Sequence, residues 1–78
     1  MTKEEFEKMA KQMFIERMSA WDQQEVREYA DGKEASEVIE EAFMDGEKTL
    51  DKRYPELSEE AFWKSAASSA AYCMTLLF

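Results

Sequence analysis

Residues 58–78 read SEEAFWKSAASSAAYCMTLLF, and this stretch decides the fold. Ser58 suits a helix N-cap, where its hydroxyl can accept from a first-turn amide. Glu59 and Glu60 fall in that first turn, where the helix dipole favours anions. Leu57 before the cap and Phe62 at the fourth helical position have the spacing of a hydrophobic staple. From Ala61 to Phe78 the segment is apolar or small on nearly every side, and a helix hydrophobic all round is buried. Ala66, Ala67, Ser69, Ala70 and Ala71 give it a thin waist that lets another helix approach closely. The uncharged run from Ser65 to Phe78 is fourteen residues long, short of the roughly 20 needed to span a bilayer. Ser65, Ser68, Ser69 and Thr75 weaken a membrane reading further. The stretch therefore predicts a core helix. The fold class is all-α: a compact bundle of three to four helices with this C-terminal apolar helix innermost, or at the centre of a dimer.

Working back along the chain, Gly32, Gly46 and Pro55 are the only strong punctuators. Thr2 and Glu5 have the spacing of a capping box and open the first helix. Phe6, Met9, Ala10, Met13 and Phe14 recur at three- and four-residue steps, and the phase runs on through Trp21, Val26 and Tyr29 to Ala30. Residues 3–30 are one helix, or two with a bend near 19–22 where Ser19 or Asp22 could cap the second. Asp31-Gly32 ends it, with Gly32 expected in the left-handed cap conformation. A further helix starts near Glu34. Ala35, Val38, Ile39, Ala42, Phe43, Gly46, Leu50 and Tyr54 keep one phase, so this helix is expected to run through Gly46, where a neighbouring backbone could come close. Pro55 then stops it by disfavouring helical geometry at Tyr54.

Seventy-eight residues form a single domain, 1–78. A chain of this length buries only about 60% of its unfolded surface, so its core is marginal. Small domains commonly add a disulfide, a metal or a partner copy. Cys73 is the one cysteine and there is no histidine. An intrachain disulfide is thus impossible and a structural zinc site unexpected, which leaves a homo-oligomer as the expected supplement. Its interface would be Trp63, Ala66, Ala70, Met74 and Leu77 on the last helix. The lysine- and glutamate-rich start has no apolar core of a signal peptide, and a lone thiol fits a cytoplasmic setting.

Charge is unevenly placed. Residues 1–21 and 48–78 each balance their acids with bases, whereas 22–47 hold ten acids against Arg27 and Lys33, the entire net charge of −8. Clustered like charge repels itself and lowers stability. The acids Asp22, Glu25, Glu28, Asp31, Glu34, Glu37 and Glu40 come every third residue, and Glu41 and Asp45 extend the band. A three-residue step falls about 60° short of a turn, so the acids wind round their helices. Such a band either keeps the chain soluble or competes for a basic groove as a nucleic-acid mimic would. It disfavours direct binding to nucleic acid or to an anionic membrane.

Chemistry-bearing patterns are sparse. Without histidine there is no Ser-His or Cys-His pair, and Cys73 in its apolar run is expected to be an inert buried thiol. Two glycines fourteen residues apart make no phosphate loop. Glu37-Val38-Ile39-Glu40 resembles the first half of the magnesium site of the all-α nucleotide pyrophosphohydrolases, an E-x-x-E pair on one helix. The resemblance implies a metal-dependent hydrolase built on Glu37, Glu40, Glu41 and Asp45. It covers that one motif, and the E-x-x-D pair of the second helix is missing.

These features favour a non-enzymatic interaction protein without a cofactor: a small cytoplasmic inhibitor or regulator that docks its acidic band on a basic, nucleic-acid-binding surface of a partner protein. Trp21 is the aromatic anchor of that surface, with Trp63 and Tyr29 as further candidates. The profile is similar in type to virus- or phage-encoded inhibitors of nucleic-acid machinery. A structural homo-oligomer assembled through the apolar tail is the alternative.

Overall fold

The computed structural model describes residues 1–51 and 58–77, without the side chains of Lys33 and Asp51. The described residues form four helices: α1 Lys3–Arg17, α2 Gln23–Ala30, α3 Lys33–Asp51 and α4 Glu59–Leu77. No strand occurs among the described residues. The expected stop at Tyr54-Pro55, the Leu57 staple and Phe78 fall outside them.

Each helix starts where the local chemistry asks. Thr2 has extended backbone geometry and its hydroxyl accepts from the Glu5 amide at 3.2 Å. Asp22 does the same for α2, accepting from the amides of Gln24 and Glu25. Residues 3–30 are therefore two helices, and Asp22 rather than Ser19 is the second cap. Ser58 accepts from the Ala61 amide at 3.2 Å and opens α4. Each such cap stabilises its helix by about 1 kcal/mol.

Gly32 departs from expectation. Its backbone is not in the left-handed region. Its amide donates to the Tyr29 carbonyl at 2.9 Å while its own carbonyl accepts from the Ser36 amide at 3.1 Å. The residue thus closes α2 and opens α3 in one step. Glycine is needed there for closeness, because a Cβ would lie 2.9 Å from the Tyr29 carbonyl oxygen.

Helix α4 packs against both α1 and α3. Phe6, Ala10, Phe14 and Met18 descend α1 at four-residue steps and are buried, as are Ala35, Ile39 and Phe43 on α3. Trp63, Ala67, Ala70, Ala71 and Met74 of α4 meet them. Val26 and Ala30 add the buried edge of α2. No polar or charged residue is buried among the described residues. Burying a large apolar side chain contributes about 1.5–3 kcal/mol, so Phe6, Phe14, Ile39 and Met74 dominate the core.

One aromatic from each long helix meets at the centre. The Phe43 and Trp63 rings stack, with centroids 5.2 Å apart and planes 21° from parallel. Phe6 stands edge-on to Trp63 at 5.4 Å. Helix α3 runs unbroken through Gly46, as its phase predicts. What comes close there is the Trp63 ring rather than a second backbone: a Cβ on Gly46 would lie 2.7 Å from Trp63 Cζ3. At the other end of α4, Arg17 ties α1 down by donating to Ser68 Oγ at 2.8 Å, with its guanidinium 5.8 Å from the Tyr72 ring centroid.

Candidate functional site, an acid-walled apolar groove

The waist of α4 brings that helix close to α3 but leaves one side of the contact open. An apolar groove of about 670 Å³ runs along it. Val38, Ala42, Gly46 and Thr49 line the α3 side. Phe62, Ala66, Ser69, Cys73, Leu76 and Leu77 line the α4 side. The α3 wall spans eleven residue steps, about 16 Å, or three helical turns. Its volume lies within the roughly 300–1,000 Å³ of ligand sites, but its form is a trough.

Charge distinguishes the two walls. Helix α4 has no charged residue after Lys64, so its wall is neutral. On α3, Glu41 and Asp45 line the groove. Steps of three and four residues put Glu34 and Glu37 along the same edge of the helix, one to two turns before them. Glu34, Glu37, Glu41 and Asp45 are all exposed. None of them makes an ion pair among the described residues.

The rest of the band is dispersed. Asp22 is spent on the α2 cap. Asp31 accepts from Lys11 of α1, which also bridges to Glu7 at 3.0 Å. Partial burial of the Lys11 ammonium works to lower its pKa. The hydrogen bonds and charges of Asp31 and Glu7 outweigh that and hold it above the usual lysine range. Glu40 points to the other flank of α3 and bridges Lys3 at 3.3 Å. Glu25 and Glu28 remain exposed on α2. The third-residue winding read from the sequence is thus broken by the α2–α3 turn, and only the α3 acids form a row beside an apolar surface. The carboxylates Glu37, Glu40, Glu41 and Asp45 do not assemble as a metal-holding set: no three acidic or thiol groups among the described residues come close enough together.

The residues expected to mediate assembly separate into two groups. Trp63, Ala70 and Met74 are buried within the chain's own core. Helix α4 is thus buried on one face and not on every side. Ala66 and Leu77 line the groove, and Ala70 reaches its floor. Leu76 and Leu77 are 69% and 50% exposed. Cys73 is exposed as well, not the buried thiol that its apolar neighbours suggest. The sequence signal for this side was Ser65-Ser69-Cys73, a row of small residues that leaves the groove unfilled. Trp21, the expected anchor, is half-exposed on the α1–α2 turn, away from the groove lining.

No helix among the described residues is long and apolar enough to cross a membrane. Comparison with protein-family models, with curated proteins and with solved structures finds no match to this chain.

Proposed function

We propose that this protein is a non-enzymatic interaction module, a small acidic inhibitor or regulator that docks on the basic, nucleic-acid-binding surface of a partner protein. The observation that carries the reading is the row Glu34, Glu37, Glu41 and Asp45 beside the open α3–α4 groove. Acids without an ion-pair partner among the described residues give up no such pair on binding. They steer a basic partner toward the groove and set its register, while the apolar floor supplies most of the holding energy. A basic amphipathic helix is the natural occupant, since three turns of groove match its recurring apolar anchors.

The test is the triple substitution Glu34→Lys, Glu37→Lys, Glu41→Lys. All three side chains are exposed, so helicity by circular dichroism should be unchanged. Tagged wild type should retain a basic nucleic-acid-handling protein from host lysate at low salt and release it at high salt, and the triple variant should retain none. Equal retention by both would sink the reading.

Self-assembly is the second reading, favoured by the exposure of Leu76 and Leu77 on the outer face of α4. Sedimentation of Leu77→Asp distinguishes them: conversion of an oligomer to a monomer with helicity intact supports assembly. A wild-type monomer removes it. Ala70→Glu is unsuitable for this purpose, because Ala70 is buried and a charge there would unfold the chain.

A further inference from the structure

The α3–α4 groove has two unlike flanks and two unlike ends. Contacts at the ends of α1 give the helix directions. The Met1 amino group lies 3.8 Å from Glu59 and Arg17 reaches Ser68, so α1 and α4 run the same way. Lys3 pairs with Glu40, and Lys11 with Asp31 just before α3, so α3 runs the opposite way. The first turns of α3 therefore lie beside the last turns of α4. That end of the groove sets Val38 and Glu41 across from Cys73, Leu76 and Leu77. It brings the acids together with two exposed leucines.

Charge separates the flanks. Glu34, Glu37, Glu41 and Asp45 cover eleven residue steps of α3, about 16 Å, as long as the α3 wall itself. Three residues on, Lys48 falls on the same edge. It is exposed and makes no ion pair among the described residues. The acidic row thus ends in a charge of opposite sign. No charged residue of α4 lines the groove; that flank offers Ser65, Ser69 and Cys73.

A helix seated in a trough turns its apolar stripe to the floor and one flank to each wall. Bases on the flank facing α3 meet carboxylates. Bases on the other flank meet hydroxyls and a thiol, and lose hydration without gaining a counter-charge. Turning the helix end for end exchanges its flanks. A helix with bases on one flank therefore seats in one direction only. Lys48 sets its register, because a slide of one turn toward the α3 C-terminus brings a base against it. Large apolar side chains of the occupant belong at the Leu76–Leu77 end, where apolar surface is left to bury.

We infer that the groove selects a helix whose basic residues lie along one flank of its apolar stripe, at three- and four-residue steps over about three turns, and discriminates against helices that split their bases between both flanks. The inference rests on the docking reading above and narrows the class of partner.

The experiment uses the full chain and two labelled helical peptides of about 18 residues and identical composition. One carries four lysines on a single flank of a leucine stripe; the other divides them equally between the flanks. Fluorescence anisotropy gives the affinities. The rate of Cys73 alkylation reports occupancy, since this thiol is exposed in the groove lining. The one-flank peptide should bind about tenfold tighter at low salt and slow the alkylation. Its advantage should vanish at about 1 M salt, where the screening length is about 3 Å. The Glu34→Lys, Glu37→Lys, Glu41→Lys variant should lose that peptide and bind a version with glutamates in place of the lysines. Equal or reversed affinities, with Cys73 protected by both peptides, would overturn the flank selection and leave groove docking standing. Binding without protection of Cys73 would place the peptide elsewhere and overturn it too. Alkylation that slows as the chain itself is concentrated would make a second copy the occupant, against the inference. No binding of either peptide up to about 1 mM would remove the docking reading along with it.

Discussion

Replacing Gly46 with alanine sets two well-characterised effects against each other at one atom. Alanine in a helix interior is favoured over glycine by about 1 kcal/mol, so an exposed site would gain stability. Here the added Cβ would lie 2.7 Å from Trp63 Cζ3 and 3.1 Å from Cη2, closer than such contacts occur. Trp63 has nowhere to go. It is 3% exposed, stacked on Phe43, with Phe6 and Phe62 edge-on at 5.4 and 5.7 Å. Forcing a methyl into a packed core costs about 1–3 kcal/mol, so the net effect of Gly46→Ala is a loss of about 1 kcal/mol. For a domain of this size that lowers Tm by about 4–8 °C. Thermal unfolding followed by far-ultraviolet circular dichroism measures it. Trp63→Phe supplies the second half of a double-mutant cycle, because it deletes the clashing ring atoms. In that background Gly46→Ala should turn neutral or stabilising, a coupling of about 1–2 kcal/mol. A Tm that rises on Gly46→Ala alone would show that the Trp63 ring does not lie over this helix, and with it the α3–α4 packing described here would fall.

Three further outcomes follow from the same geometry. Asp22→Ala should cost about 1 kcal/mol and raise amide exchange in α2 ahead of the other helices, since Asp22 alone caps that short element; uniform exchange across the chain would contradict it. Lys11 has a folded pKa above its usual value, so its contribution is complete below the unfolded value of about 10.4 and is lost as pH rises through the folded one. The stability difference between wild type and Lys11→Met should therefore be flat from neutral pH and shrink in the strongly alkaline range; a difference that grows there would be the wrong sign. Cys73 should react with a thiol reagent in the native protein at nearly the rate of the denatured chain, because it is exposed, and stoichiometric labelling only after unfolding would place it elsewhere.

Much of this fold is legible in the sequence because it is specified locally. Thr2, Asp22 and Ser58 are capping residues at the starts of amphipathic or apolar runs, and each caps a helix. The phase of Ala35, Ile39, Phe43 and Gly46 carries α3 through its glycine. What the sequence left open depends on partners distant along the chain. An all-apolar helix does not declare which side will lack a neighbour, so Cys73 reads as buried and is exposed, and Trp63, Ala70 and Met74, expected at an assembly interface, are buried within the single chain. Gly32 shows a local version of the same limit. A glycine after a helix suggests the left-handed cap, but with Lys33 already starting α3 there is no room for one. The groove could not be found by periodicity at all: it exists because small residues on α4 fail to fill the space that α3 leaves.

The segregation of charge has a consequence for approach as well as for contact. The net negative charge is confined to residues 22–47, which hold α2 and most of α3, while the first 21 residues and the last 31 are neutral in sum. The molecule measures 40 × 21 × 20 Å, and its smallest dimension exceeds the screening length of about 8 Å at physiological ionic strength. A positively charged surface nearby therefore feels whichever side faces it, not the net charge. That surface exerts a torque that turns the acidic helices inward and the neutral ones outward. Orientation is settled before any side chain touches, and the molecule arrives with its α3 edge leading.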